Sequence, residues 1–176
     1  MAHNIYPNTN WRSAIQYIYM SSKEKLNFAI REIEFQDLKT GFFDTLSNLT
    51  QVGSIISEGD RAEKILSEIK SYPFYAIFVA VNENSEVIGS ITLLIEQKFI
   101  HDGGKVGHIE DVVTKKKYEG MGIGRALVLK ALDFAKENKC YKVILDCSKS
   151  NAEFYKKLGF KEHEVSMRFD FPRTSY

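Results

Sequence analysis

Gly120, Gly122 and Gly124 occupy alternate positions in Glu119-Gly120-Met121-Gly122-Ile123-Gly124-Arg125, directly ahead of the longest stretch of helical periodicity in the chain. A turn without side chains lets a ligand lie against the backbone. The helix behind it aims unpaired N–H groups and the positive end of its dipole at the same point. Such a turn is an anion site, suited to a phosphate or pyrophosphate. A Walker loop would end in Gly-Lys-Ser/Thr, which Gly124-Arg125-Ala126 does not supply. A dinucleotide fingerprint needs G-x-G-x-x-G after the first strand of a parallel unit, whereas the spacing here is G-x-G-x-G after a run of hairpins. The plain alternative is a glycine-rich turn that binds nothing.

Other residues carry groups able to do chemistry. Glu110 and Asp111 are adjacent on a predicted strand, which sends their carboxylates to opposite faces, so only one can face a given pocket. Asp146 closes the short apolar run Val143–Leu145, where a carboxylate has no packing value and costs energy if unpaired. Capping the helix after Ser148 is its other use. Tyr155 lies on that helix, as a donor or as a packing residue. Cys147 has no histidine close in sequence and reads as a small packed thiol. His108 and Glu110 alternate on one strand without a third ligand, so no metal is expected.

The elements that must position these groups follow from periodicity. Phe28–Ile33 alternates as a first strand. Asp37–Leu49 and Asp60–Lys70 carry apolar residues at helical spacing. Phe74–Val81 is a continuous apolar strand, returned through Asn82-Glu83-Asn84-Ser85 into Val87–Ile95 as an antiparallel hairpin. His101-Asp102-Gly103-Gly104 turns into the strand Lys105–Thr114. Ile123–Asn138 is the long helix, Val143–Leu145 a short strand, Asn151–Leu158 a short helix and Val165–Phe171 the last strand. The order is β-α-α-β-β-β-α-β-α-β, an α/β (α+β) fold. Residues 1–27 read as an N-terminal extension, with Trp11, Ile15 and Ile18 at the spacing of a short docked helix, ahead of one domain at 28–176.

Composition limits the function classes. A chain of 176 residues with 44% hydrophobic and 27% charged residues is an ordinary globular domain. Its 24 Lys+Arg against 23 Asp+Glu give +1, without the basic excess that a nucleic-acid partner requires. No apolar run approaches the ~20 residues of a membrane span. Met1–Pro7 lacks a secretory pattern, and Cys140 and Cys147 read as reduced thiols in a cytoplasmic protein.

The glycine turn is similar to the pyrophosphate loop of acetyl-CoA-dependent N-acetyltransferases, Arg/Gln-x-x-Gly-x-Gly/Ala at a strand-to-helix junction. The strand order resembles the GNAT superfamily. Within it the chain resembles the glucosamine 6-phosphate N-acetyltransferases, through Lys98-Phe99-Ile100-His101, Gly107-His108-Ile109-Glu110-Asp111-Val112-Val113, Tyr118–Gly124, Cys140-Tyr141-Lys142-Val143-Ile144-Leu145-Asp146-Cys147 and Asn151-Ala152-Glu153-Phe154-Tyr155. A fainter likeness covers Leu49-Thr50-Gln51-Val52-Gly53. In all it spans about Phe28–Met167 and leaves out the extension.

The resemblance implies direct acetyl transfer from acetyl-CoA to the amine of glucosamine 6-phosphate, a step towards UDP-N-acetylglucosamine. The other uses of such a fold are acetylation of a protein lysine or polyamine, and non-catalytic acyl-CoA sensing. It implies that Val112, Val113 and Thr114 hold the coenzyme's pantetheine arm by their backbone. Gly120, Met121, Gly122, Ile123, Gly124 and Arg125 would hold its diphosphate, and Asn151 and Tyr155 would also contact it. Asp146 would orient the attacking amine, with Glu110 as a further catalytic group, and Tyr155 would stabilise the departing thiolate. A phenol with pKa about 10 facing a thiol of about 8.5 makes full proton transfer uphill by roughly 2 kcal/mol, so a hydrogen bond is the expected role. Glu110 and Asp111 would contact the sugar, and Lys98, Lys142 and Arg168 its phosphate, with Thr50 and His101 as hydrogen-bonding partners. The family's homodimers imply that Tyr141, Lys142 and the C-terminal strand complete the partner's sugar site. Two departures stand out: Glu119 replaces the motif's Arg or Gln, and Arg168-Phe169-Asp170-Phe171-Pro172-Arg173 replaces the family's basic ending.

Overall fold

The computed structural model describes residues 15–20 and 25–171. The chain divides into two compact units, Met1–Leu145 and Asp146–Tyr176. The first is built on a six-stranded sheet whose spatial order follows the sequence: β1 (Ile15–Met20), β2 (Lys25–Glu32), β3 (Tyr75–Asn82), β4 (Val87–Gln97), β5 (Lys105–Thr114) and β6 (Cys140–Leu145). Neighbours are antiparallel except β6, which runs parallel to β5. The helices of this unit are α1 (Phe42–Leu46), α2 (Gly59–Ser71), the irregular turn α3 (Ile100–Gly103), where His101 and Asp102 are left-handed at φ of +54°, and α4 (Ile123–Glu137). This is the expected mixed, mostly antiparallel sheet with helices, including the β3–β4 hairpin. No helix among the described residues is long and apolar enough to cross a membrane.

Both faces of β3 are covered, which explains its unbroken apolar run: Ala76 to Val81 are all buried. On one face Phe78 meets Phe134 of α4 edge-to-face at 5.5 Å, and Leu127 and Ala131 are fully buried. On the other, Ile77, Val79 and Val81 pack with Ile33, Phe42 and Leu66. Each such side chain contributes about 1.5–3 kcal/mol by leaving water. The start of α4 is placed by a close approach to β4. A Cβ on Gly89 would lie 2.7 Å from Ile123 Cγ2 and 3.0 Å from Leu127 Cδ1. Only glycine lets the strand come so near, and that contact sets where the helix N-terminus opens.

Three elements differ from the sequence expectation. The predicted helix Asp37–Leu49 is two short pieces, a 3-10 turn Phe35–Lys39 and α1, separated at Gly41 with φ of +101°. Asp37 is drawn out of a regular helix by a two-pronged ion pair with Arg31 at 2.6 and 2.7 Å, and it also accepts from Glu34 N. The predicted N-terminal helix is also replaced, because Ile15–Met20 pairs with β2 as a strand and Tyr17 stacks on Phe28 at 5.3 Å. Its sequence, Ile-Gln-Tyr-Ile-Tyr-Met, is rich in β-branched and aromatic residues, and a ready strand edge outweighs the i, i+3 spacing. Trp11 lies outside the described residues.

Among its described residues the second unit has one short helix, α5 (Ala152–Lys156), with Gly159 at φ of +95° after it. The predicted strand Val165–Phe171 does not form. Its alternating Val165, Met167, Phe169 and Phe171 are 84%, 89%, 80% and 82% exposed. A strand needs a partner edge, and among the described residues none pairs with this segment.

Candidate active site

The glycine turn has the geometry of an anion cradle. Gly120 and Gly122 adopt φ of +77° and +80°, which only glycine reaches without strain, and a Cβ at either would meet nothing within 4 Å. Gly122 is the N-cap of α4, with no side-chain cap and no acidic residue in the first turn. The first intrahelical bond is Ala126 N to Gly122 O at 3.0 Å, so the N–H groups of Ile123, Gly124 and Arg125 precede the helical ladder. Met121 is half-buried and its N–H reaches Tyr118 O at 3.4 Å, while Glu119 and Arg125 are exposed.

β5 leads into this turn and changes character halfway. β6 pairs with it only from Lys105 to Ile109. Beyond Ile109 its strand partner is β4, and among the described residues no strand covers the other edge. The backbone of Val112, Val113 and Thr114 therefore lies along a part of β5 with a free edge, as an extended ligand would need.

Glu110 and Asp111 depart from the predicted alternation. The β4–β5 register slips between Ser90 and Thr92, and Asp111 sits at φ of +51° in the resulting bulge. Both acids are exposed. Both also raise the pKa of the Tyr75 phenol, after the larger effect of its burial. The bulge thus interrupts the regular alternation of β5 at Asp111, and both acids act on the same phenol. Cross-strand pairing puts Ile77, Thr92 and Glu110 in one row and Tyr75, Leu94 and His108 in the next, on the face that carries Ile33, Phe42 and Leu66.

The expected phosphate-binding groups gather elsewhere on this unit. Tyr141 and Lys142 open β6, the His101 ring lies 4.4 Å from that of Tyr141, and Lys142 Nζ is 5.8 Å from the Tyr141 ring. Lys98 is tied to Glu96 at 2.5 Å, and His108 meets the same carboxylate at 3.0 Å. The Lys98 ammonium, and secondarily His108, hold the Glu96 carboxyl below its usual range. Lys142 pairs with Val106, four residues from Glu110, or about 13 Å along β5 at roughly 3.3 Å each. Lys142 thus lies well down the strand from Glu110, whereas Lys98 reaches through Glu96 to His108, in the row next to Glu110. Thr50 is exposed just beyond α1.

In the second unit, Asp146 is exposed and its Oδ2 accepts from Ser166 Oγ at 3.0 Å. Asn151 is the N-cap of α5, and its carbonyl accepts the Phe154 and Tyr155 amides. Tyr155 is 8% exposed, edge-to-face with Phe154 at 4.9 Å and Phe160 at 5.8 Å. Burial first, then the neighbouring Cys147, pushes its phenol above the usual value. It is thus a donor, never an anion, at neutral pH. Arg168 is exposed and bound twice to Asp170, at 2.7 and 2.6 Å.

Sequence reasoning missed Tyr75 beside the two acids, and the Glu96 link between Lys98 and His108. The only advance signal for either was the hairpin register, which a hydrophobic pattern does not specify to the residue.

Residues 43–160 match the Acetyltransferase (GNAT) family. The chain is 40% identical over 141 residues to a glucosamine 6-phosphate N-acetyltransferase of Candida albicans, covering 80% of this chain and 93% of that one. It is 36% identical over 142 residues to the enzyme of the same name from Arabidopsis thaliana, covering 80% and 94%. The crystal structure of glucosamine-6-phosphate N-acetyltransferase from Arabidopsis thaliana superposes with a TM-score of 0.77 at 38% identity, over 82% of this chain and 99% of that one.

Proposed function

The chain belongs to the acetyltransferase (GNAT) family, and on that premise we propose that it transfers the acetyl group of acetyl-CoA to the amine of D-glucosamine 6-phosphate, giving N-acetyl-D-glucosamine 6-phosphate and CoA. It is an acyltransferase, and its product leads towards UDP-N-acetylglucosamine. The observation that carries this reading is continuous in one unit: an acidic bulge, a strand edge left open beyond it, and an open glycine cradle at a helix N-terminus.

Acetyl-CoA supplies a thioester carbonyl for the amine to attack and a thiolate that leaves. The residues present fit it, since Gly120 and Gly122 hold positive φ in an open turn and the amides of Ile123, Gly124 and Arg125 precede the helical ladder. In our reading the amides of Ile123, Gly124 and Arg125 take the diphosphate, with Gly120, Met121 and Gly122 shaping the turn. The Val112–Thr114 backbone takes the pantetheine arm, and Asn151 contributes a further coenzyme contact. Glu110 and Asp111, side by side on the bulge, hold the sugar. Asp146 orients the amine and stabilises its developing positive charge. Tyr155 donates a hydrogen bond to the thiolate.

We further propose a cytoplasmic homodimer in which the sugar site is shared. Cys140 and Cys147 are both free thiols, as a reducing compartment keeps them. Tyr141 and Ile144 are exposed on β6, beside exposed Phe99 and Ile100, and the tail from Val165 to Phe171 shows the alternation of a strand awaiting an edge. The separation of Lys142 from Glu110 along β5 supports phosphate binding in trans by Lys98, His101, Tyr141, Lys142 and Arg168, with Thr50 beside them. Mixing separately inactive Glu110→Ala and Lys142→Ala chains should then restore about a quarter of wild-type activity, because half the dimers would be mixed and each would carry one intact site. Activity that stays at the level of the parents after subunit exchange counts against the shared site.

The activity is tested by following thiol release with glucosamine 6-phosphate, glucosamine and a lysine peptide. Turnover with the sugar phosphate should exceed that with glucosamine by about a hundredfold in kcat/KM, because glucosamine lacks the phosphate with which the cations would form charge-assisted hydrogen bonds. Turnover on the peptide alone would reject the sugar substrate. No turnover with any amine would indicate a coenzyme sensor.

A further inference from the structure

The segment that delivers β5 to the glycine turn is held by a polar cluster that the acetyl transfer does not use. Glu86, at the end of the β3–β4 turn, accepts from Lys115 Nζ at 2.6 Å, Asn82 Nδ2 at 3.0 Å and Tyr118 OH at 3.4 Å. Asn82 Nδ2 also reaches Tyr118 OH at 3.3 Å, and its Oδ1 accepts the amides of Asn84 and Glu86, which fixes the hairpin turn itself. A third anchor comes from beyond α1, where Asn48 Oδ1 accepts the Lys116 amide at 3.1 Å. Lys115 and Tyr118 flank the 3-10 turn Lys116–Tyr118, and the carbonyl of Tyr118 receives the Met121 amide inside the glycine turn.

From this geometry we infer that Glu86 is a positioning residue for the coenzyme loop: through Lys115 and Tyr118 it holds the entry to Gly120–Gly124 in the shape that receives the diphosphate. The inference rests on the reading of the glycine turn as the coenzyme site. Its physical basis is the freedom of the loop. Glycine loses more conformational entropy on ordering than any other residue, and Gly120 and Gly122 touch nothing a side chain would touch. A loop so built stays open to the ligand only if its two ends are fixed. α4 fixes one end through the Gly89 contact, and the Glu86 cluster fixes the other. Both partners show the strength of the pair. The Lys115 ammonium holds the Glu86 carboxyl below its usual range, and Glu86 raises Lys115 despite partial burial. Buried Tyr118, 9% exposed, brings the tie under the loop instead of leaving it to two exposed charges.

The test compares the wild type with Glu86→Ala, Glu86→Gln and Tyr118→Phe, using titration calorimetry with CoA and steady-state kinetics in both substrates. Glu86→Ala should raise Kd for CoA and KM for acetyl-CoA about tenfold, because the loop must then be ordered by the ligand. The kcat at saturation and the KM for the sugar phosphate should stay within about twofold, and Glu86→Gln, which keeps the acceptor oxygen, should recover part of the affinity. Tyr118→Phe should weaken CoA about threefold, and it decides the question if Glu86→Ala does not fold. Unchanged CoA affinity in the folded variants would overturn the inference, as would a fall in kcat matching the rise in KM. A wild-type protein that binds no CoA would instead sink the coenzyme assignment, and this inference with it.

Discussion

Tyr155→Phe is expected to lower kcat about a hundredfold while Kd for CoA stays within about threefold of the wild type, the size of loss seen when one preorganised donor is removed from a transition state. The change deletes one oxygen and keeps the ring. Its packing against Phe154 and Phe160 survives, so the fold should survive with it. Burial keeps the phenol protonated, because it raises a pKa that already lies near 10. The deficit should therefore be flat across neutral and mildly alkaline pH, with no limb that Tyr155 introduces below that value. A rate equal to wild type at saturating substrates would remove Tyr155 from the chemistry and leave it a packing residue. A deficit confined to KM for acetyl-CoA would move its role to coenzyme binding.

Gly122→Val should raise Kd for CoA by a hundredfold or more, on the order of 3 kcal/mol. Two effects separate, the first on the fold and the second on the affinity. The φ of +80° costs a residue with a side chain about 1–2 kcal/mol, more when it is β-branched. The added methyls then project into the space where the anion would meet the amides of α4. A Cβ at Gly122 would touch no other protein atom within 4 Å, so the fold loses only the backbone strain. A drop of about 3–8 °C in Tm is expected for a chain of this size. That separation makes the variant informative. Retained CoA affinity in a folded Gly122→Val protein would show that the diphosphate is bound elsewhere.

The legible parts of the molecule were those written in local pattern. The apolar run of β3, the Asn82–Glu86 turn, the span of β5 and the long helix after Gly122 all follow from periods of two or 3.6 and from turn chemistry. The glycine spacing announced the shape of the turn because the requirement is local: positive φ, no side chain, a helix behind. Asp111 was harder. Aspartate tolerates the left-handed region, but nothing in Glu110-Asp111 says that β4 would slip by one residue opposite it. Ile15 and Ile18, three apart, share a face only in a helix, and the edge of β2 outweighed that spacing. Val165–Phe171 reads as a strand by alternation, yet alternation states only which side chains share a face and never supplies the neighbour. Glu86, Lys115 and Tyr118 lie up to 32 residues apart, and no periodicity links them.

By itself, then, the sequence determined the class of fold, the open glycine turn ahead of the long helix and the inventory of acids, cations and phenol available for acetyl transfer. Each of these depends on side-chain type and short-range spacing, which the chain carries before it folds. The tertiary structure alone decided that Glu110 and Asp111 are both exposed at one bulge, that Glu96 links Lys98 to His108, and that Glu86 secures the entry to the glycine turn. Those arrangements come from strand register and cross-chain hydrogen bonds, whose energies are settled only when distant segments meet.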